Sequence, residues 1–277
     1  MTWIDAVTAL RGQRRAAVLA TITAVRGHAP RAAGAKMVIA ADEIFGTVGG
    51  GNLEMAAINR AREMMTQGKS EPEIMILKLN DKAPAIYGRQ CCGGEVSLLL
   101  EPLPVPASVA IFGVGNVGME LARILSRHDL DLYLTDSRPG FLDELAVLEP
   151  SVARVHAQVA VLGEQVLNDL PQGTHVLIMT HDHAEDFHLC DAALRLGELG
   201  SIGLIGSNAK WSRFQKNLSL SGHREEKIAR IQCPIGMAEV AGKEPAIIAV
   251  SVAADLLPRL HRVPSAATGR TSQPNAT

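Results

Sequence analysis

The sequence predicts an α/β protein in which an N-terminal α+β domain is followed by a Rossmann-like domain with a doubly wound parallel sheet. Three observations support this prediction. The chain has 277 residues, which is longer than most single hydrophobic cores. Alternating prolines at residues 101–106 exclude a central strand and indicate a semi-rigid spacer. Beyond the spacer, strand-like and helix-like runs alternate. We therefore expect domains at residues 1–101 and 107–262, and a disordered tail at 263–277.

Composition narrows the class of protein. The net charge is −2 and the charges are mixed along the chain, so nucleic acid is not an expected partner. No apolar run approaches the roughly 18 residues of a membrane helix, so no membrane partner is expected. Four cysteines are too few and too unevenly spaced for a disulfide framework. Reduced thiols indicate a cytoplasmic protein.

Hydrophobic periodicity predicts the elements of the N-terminal domain. Apolar positions three and four residues apart after Leu53 indicate an amphipathic helix. Short runs rich in apolar and β-branched residues, separated by turn residues, indicate strands. The predicted elements are a helix at 2–12, strands at 17–24, 35–40 and 44–48, a helix at 53–67, and strands at 73–79 and 96–100.

A vicinal cysteine pair, Cys91 and Cys92, precedes Gly93 and Gly94. Two glycines beside a thiol allow a large ligand to approach closely, because no Cβ is in the way. The nearby cation of Arg89 favours the nucleophilic, metal-binding thiolate. The alternative is that the cysteines are small hydrophobic residues at a strand entry and the glycines form a turn.

A second glycine-rich stretch, Gly49, Gly50 and Gly51, leads through Asn52 into the predicted helix. We interpret Asn52 as the helix cap and the glycine amides as a site for phosphate or carboxylate at the positive end of the helix dipole. Arg31, which follows a proline in an earlier loop, would supply a counter-charge. The alternative is a tight turn that requires positive φ angles.

In the second domain, Gly113, Gly115 and Gly118 form a GxGxxG turn between a predicted strand and a predicted helix. Asp136 follows about 20 residues later at a strand end, where a ribose-binding acid belongs. This context predicts a Rossmann fold and makes NAD(P) or another nucleotide a candidate ligand, although a fold does not dictate its ligand. Arg138, two residues after Asp136, is suited to bind a 2′-phosphate. The alternative is that it is an ordinary surface charge.

Alternating runs complete the second domain. Its predicted strands are at 108–112, 132–135, 153–156, 175–179 and 201–205, and its predicted helices are at 119–127, near 165, at 185–196, at 209–218 and from 245.

Two loops follow predicted strands of this sheet, where parallel sheets bind ligands. His181 and His183 flank Asp182 and are candidates for metal binding or acid–base chemistry. The alternative is that this loop caps the next helix. In the other loop, Ser207 or Asn208 is the candidate cap, and the cations Lys210 and Arg213, one turn apart, suit an anionic ligand. Here the alternative is a solvated helix face.

Seven motifs occur in an order that resembles one known family. They lie at residues 27–31 with 34–37, 46–54, 92–94, 113–118, 180–183, 203–207 and 233–236. Together they resemble the xanthine dehydrogenase accessory proteins of the XdhC/CoxI type over roughly residues 15–257. The chain departs from the family pattern at His28, where serine is common, and at Asn116, where histidine is frequent.

The resemblance implies a cytosolic, non-catalytic chaperone that binds molybdenum cofactor and protects it during sulfuration with a cysteine desulfurase. It then implies insertion of the cofactor into apo-xanthine dehydrogenase. The cofactor-binding cysteine of the family falls on Cys92, which becomes the expected molybdenum-proximal thiol. The phosphate of molybdopterin suits the triple-glycine turn and Arg31. Small apolar strands and a short spacer also lead us to expect a homodimer.

Two rival functions remain open at this point. An NAD(P)-dependent oxidoreductase would place Asp136 on the ribose and use His181 or His183 as acid or base. It would leave the cysteine and triple-glycine loops unexplained. A protein-docking module without a ligand of its own would bind no pterin.

Overall fold

The computed structural model describes residues 1–79, 93–141 and 143–260. The chain divides after Val105 into two compact units. The first is an α+β unit with an antiparallel sheet, and the second carries a parallel Rossmann-like sheet. The predicted fold class is confirmed. The predicted tail at 263–277 lies outside the described residues.

The first unit is built on a five-stranded antiparallel sheet with the order β3-β2-β1-β5-β4. Helix α2 packs its apolar stripe on one face of this sheet, and α1 covers part of the other through Ala6 and Leu10. The elements are α1 (Trp3–Gly12), β1 (Ala17–Arg26), β2 (Lys36–Ala40), β3 (Ile44–Gly46), α2 (Gly51–Thr66), β4 (Glu73–Lys78) and β5 (Glu95–Leu103).

Strand β5 extends into the predicted spacer, so that prediction was wrong for residues 101–103. Pro102 pairs with Val18 of β1, whereas β4 pairs with β5 only as far as Leu100. Beyond Leu100 one side of β5 is therefore a sheet edge. Proline, which lacks an N–H, is tolerated at such an edge. The irregular connection is confined to residues 104–106.

The second unit holds a six-stranded parallel sheet with the order β11-β10-β9-β6-β7-β8. Helices α3 and α8 cover one face, and α4, α5 and α6 cover the other. The elements are β6 (Ala107–Phe112), α3 (Asn116–Leu125), β7 (Leu130–Asp136), β8 (Arg154–Val159), α4 (Gly163–Asn168), β9 (His175–Ile178), α5 (His183–Leu196), β10 (Ser201–Leu204), α6 (Asn208–Leu220), α7 (Glu225–Ile228), β11 (Ile231–Gln232) and α8 (Pro245–Leu260).

The strand order reverses between β6 and β9, which is where ligands bind in open α/β sheets. Helix α7 and strand β11 were not predicted. They span four and two residues, too few to give a periodic signal. Within the part of the chain that the structure describes, no helix combines the length and apolarity needed to cross a bilayer.

Candidate functional site

The two glycines of the cysteine motif lie against the end of β1 and the loop that follows it in the first unit. Gly93 forms a bridge with His28, and its N–H donates to the carbonyl of Leu79 at 2.8 Å. A Cβ on Gly94 would lie 2.8 Å from the carbonyl oxygen of Arg26, so only glycine fits there. Cys92 lies outside the described residues. Gly93 and Gly94, which follow it, contact the loop of residues 27–31.

The triple-glycine turn contacts the same loop. A Cβ on Gly49 would lie 2.9 Å from Cβ of Pro30, and the φ angle of Gly49 is 129°. Arg31, the residue after Pro30, is exposed. The fold therefore brings together three stretches that the sequence offered separately: 27–31, 49–51 and 93–94.

The meeting point leaves bare backbone accessible. No described heavy atom lies within 4 Å of the positions that a Cβ would take on Gly50, Gly51 or Gly93. Among the described residues, no side chain covers the main chain at these three glycines. This accessibility fits the close approach of a large cofactor.

The start of α2 differs from the prediction that Asn52 is its cap. The cap residue is Gly50, with φ 81° and no side-chain hydrogen bond to the helix. Asn52 already lies in the first helical turn, because the positive φ angles of the three glycines turn the chain into the helix earlier. The cap assignment of Asn52 was wrong.

The amides of the glycine turn already contact an internal anion, Glu54. Thr47 Oγ1 donates to Glu54 Oε1, and the Gly49 N–H donates to the same oxygen at 3.3 Å. Burial raises the pKa of Glu54, but hydrogen bonds from Thr47 and from the N–H groups of Gly50, Gly49 and Val48 outweigh it and lower the pKa. An external anion would compete with this carboxylate.

Replacing Glu54 by glutamine should destabilise the protein by about 1–2 kcal/mol near neutral pH, because the amide is a weaker acceptor. The lowered pKa means that this contribution is complete above the ordinary value of 4.5 and disappears as the pH falls through the folded value. Urea unfolding from neutral pH to about pH 3 should show the gap between wild type and variant closing. The exposed Glu71→Gln serves as the control, and a pH-independent gap would contradict the assignment.

The three glycines of the Rossmann turn have different surroundings. A Cβ on Gly113, whose φ is 98°, would lie 2.6 Å from Cα of Thr180 in the loop after β9. A Cβ on Gly118 would lie 3.2 Å from the Gly113 carbonyl carbon. Among the described residues, a Cβ on Gly115 would have only Arg138 Nη2 within 4 Å, at 3.7 Å. Gly113 and Gly118 thus allow close packing, and Gly115 is the accessible member.

Asp136, the predicted ribose ligand, has its carboxylate turned to protein donors. Its oxygens accept from the Val114 N–H at 2.8 Å and from Arg138 Nε and Nη2 at 2.9 and 3.0 Å, and its side chain is 1% exposed. Burial raises the pKa of Asp136, but these donors outweigh it and lower the pKa. A ribose would have to displace them. Arg138 in turn stacks on Phe141 at 3.6 Å.

The histidine loop caps a helix. Asp182 is the N-cap of α5 and accepts from the N–H groups of Ala184 and Glu185. His181 and His183 are exposed, and His183 Nδ1 lies 3.2 Å from Nη2 of the Arg213 guanidinium. Among the described residues, no group of three or more His, Cys, Asp or Glu side chains could hold a metal ion. The capping role of Asp182 removes the third ligand that a site on His181 and His183 would need.

Ser207 caps α6, accepting from the Lys210 N–H at 3.2 Å. The Lys210 ammonium turns inward, pairs with Asp186 and donates to the Ile205 carbonyl at 2.9 Å. The two side chains of this ion pair are 9% and 1% exposed. Asp186 was not among the predicted site residues. Its position on the apolar stripe of α5, with Leu189 three residues later, is the signal that could have identified it.

Comparison with known proteins decides the family. The family model described as the XdhC Rossmann domain matches residues 109–256, more than half of the chain, and the model of the XdhC and CoxI family matches residues 10–77. The chain belongs to the XdhC/CoxI family. The predicted family resemblance is confirmed.

Two relatives of this XdhC-family chain come from Escherichia coli K12. It is 26% identical over 258 residues to the uncharacterized protein YqeB, covering 93% of this chain and 46% of YqeB, so it spans about half the length of that relative. It is 27% identical over 279 residues to the molybdenum cofactor insertion chaperone PaoD, covering 90% of this chain and 85% of PaoD.

A crystal structure described as a xanthine dehydrogenase from Bacillus halodurans is 21% identical, with a TM-score of 0.48 and coverage of 94% of this chain and 96% of that chain.

Proposed function

We propose that this XdhC-family protein is a molybdenum cofactor chaperone. In this proposal it binds molybdopterin, protects the cofactor, supports its sulfuration and inserts it into xanthine dehydrogenase. The observation that carries the proposal is the match along 85% of PaoD, which is named a molybdenum cofactor insertion chaperone. The cofactor is the cargo of the protein.

In the first unit, we assign the binding site to the loops that meet beside Gly93. Cys92, one peptide bond before Gly93, would bind next to molybdenum, because a thiolate is a soft metal ligand. Gly93, Gly50 and Gly51 offer accessible main chain for close approach. Since Glu54 already accepts from the amides of this turn, we assign the phosphate of molybdopterin to the exposed guanidinium of Arg31.

The second unit supplies less to this proposal than the sequence led us to expect. The hydrogen bonds that the Asp136 carboxylate accepts from Val114 and Arg138 argue against a ribose ligand, and therefore against the NAD(P)-dependent oxidoreductase. The inward ion pair of Lys210 counts against a role in anion binding. The main chain at Gly115 and the partly exposed guanidinium of Arg138 remain the best candidates for contact with a phosphate in this unit.

The partners in this proposal follow from the same function. Apo-xanthine dehydrogenase would receive the cofactor, and a cysteine desulfurase would supply the sulfur. A second copy of the chain would complete a homodimer. Co-purification and light scattering test these partners directly.

The test is the cofactor content of protein purified from a cofactor-producing host. Replacing Cys92 by alanine should reduce bound pterin and molybdenum at least about tenfold, the effect of losing one contact of about 1.4 kcal/mol. Cys91→Ala is the matched control, because it removes the neighbouring thiol. Oxidised-pterin fluorescence and elemental analysis measure the two contents. Wild-type content in Cys92→Ala would refute the role of this thiol, and wild-type protein that never carries pterin would refute the function.

A further inference from the structure

One face of strands β7 and β8 is polar where a Rossmann sheet is ordinarily apolar. Strands buried on both faces normally read as continuous hydrophobic runs. In β7, however, Asp131, Tyr133 and Thr135 alternate with leucines that face the core. Their direct partners in β8 are Arg154, His156 and Gln158, in that order. Such a local conflict with the core pattern is typical of functional sites.

The short helix α4 leaves this polar face partly uncovered. It has only six residues, Gly163–Asn168, and covers little of the sheet. Between them lies a cavity of about 360 Å³. Ligand sites range from about 300 to 1,000 Å³, so this volume suits a single ring system and not a whole dinucleotide. Its lining residues are Tyr133, Thr135, His156, Ala157, Gln158, Val166, Asp169 and Leu170.

The floor of the cavity is a stacked aromatic pair. The rings of Tyr133 and His156 lie 4.6 Å apart and are inclined by only 10°. The buried Nε2 of His156 lies 3.7 Å from Oδ1 of Asp131, a residue outside the cavity lining. At this point the cavity therefore offers a ligand the two aromatic rings.

The charge of the lining selects against anions. Asp169 is the one ionisable acid among the described lining residues, which include no lysine or arginine. A phosphate placed here would meet a carboxylate without a compensating cation. A ligand with N–H donors would instead find acceptors in the Asp169 carboxylate, the Gln158 amide oxygen and the Thr135 hydroxyl.

We propose that this cavity binds a flat, neutral or cationic nitrogen heterocycle that carries an exocyclic amino group. The ring would lie against the Tyr133–His156 pair, and the amino group would donate to Asp169. Aminopurine nucleobases and pterins share this chemistry. The site uses none of the residues assigned to cofactor binding in the first unit, so it is a second site in addition to the one proposed there.

The test is titration calorimetry of the full-length protein with two probes that lack phosphate, adenosine and 6-hydroxymethylpterin. Binding of adenosine alone would identify a nucleobase site, and binding of the pterin alone or of both would include pterins. Asp169→Asn should weaken binding about tenfold, the effect of removing one charged hydrogen-bond acceptor. Glu164→Gln removes an acid from α4, the helix that Asp169 caps, at a position outside the cavity lining. It is the matched control and should leave affinity unchanged.

Tyr133→Leu should also weaken binding, by removing the stacking surface. If Tyr133→Leu does not fold, Gln158→Leu is measured in its place. This substitution, at an exposed position, removes the amide oxygen that is proposed to accept a hydrogen bond from the ligand. Absence of binding by both probes would overturn the proposal. Binding that is unchanged both in Asp169→Asn and in Tyr133→Leu, or in Gln158→Leu where that variant is used, would also overturn it. The proposed chaperone function fails separately, through the Cys92 experiment.

Discussion

Replacing Lys210 by methionine is expected to lower the free energy of unfolding by about 3–5 kcal/mol. The substitution keeps most of the side-chain volume but leaves the Asp186 carboxylate, which is 1% exposed, without its cation. Removing one partner of a buried ion pair costs about this much, because the remaining charge is neither hydrated nor neutralised. Total stability of a domain is only about 5–15 kcal/mol, so the loss should be obvious in urea or thermal unfolding.

A matched control lies on the same helix. Lys216→Met changes an exposed lysine of α6 and should alter stability by less than about 0.5 kcal/mol. The double variant Lys210→Met with Asp186→Asn removes both charges and should recover part of the loss, because the asparagine oxygen can still accept from the N–H and the hydroxyl of Thr180. Equal effects of Lys210→Met and Lys216→Met would mean that Lys210 is an ordinary surface residue after all.

Replacing Gly113 by alanine is expected to cost more than about 4 kcal/mol and to prevent normal folding of the second unit. The new Cβ would lie 2.5 Å from the carbonyl carbon of Met179 and 2.6 Å from Thr180 Cα. These are backbone atoms of the loop that follows strand β9, so no side-chain rotation can relieve the overlap. The φ angle of 98° adds strain for any residue with a Cβ.

Gly115→Ala in the same turn is the control for this prediction. Its φ of −76° suits alanine, and the new Cβ would make ordinary contact with Arg138 Nη2 at 3.7 Å. As a helix cap, alanine is less favourable than glycine by about 1 kcal/mol or less. Circular dichroism with denaturant titration compares the two variants. Similar stability of both would show that the turn tolerates side chains throughout.

The sequence was a good guide to elements and a poor guide to the partners of charged residues. Helix α2 and strands such as β1 and β9 could be predicted because their apolar periodicity is repeated along the local chain. The end of β5 could not, because whether Pro102 is tolerated depends on where β4 stops pairing. The state of Glu54 could not either, since it depends on the path of the glycine turn.

The sequence by itself determined the two-part α/β architecture, the family and the loops in which function should be sought. Only the tertiary structure decided which of those loops meet, and that Asp136 and Lys210 bond to protein groups instead of facing a ligand. The physical reason is the distance along the chain over which each effect acts. Periodicity and turn chemistry act between residues a few positions apart, whereas Lys210 reaches an acid 24 positions earlier through the packing of two helices on one sheet. Charge and residue type were visible in the sequence, but their partners are fixed by folding.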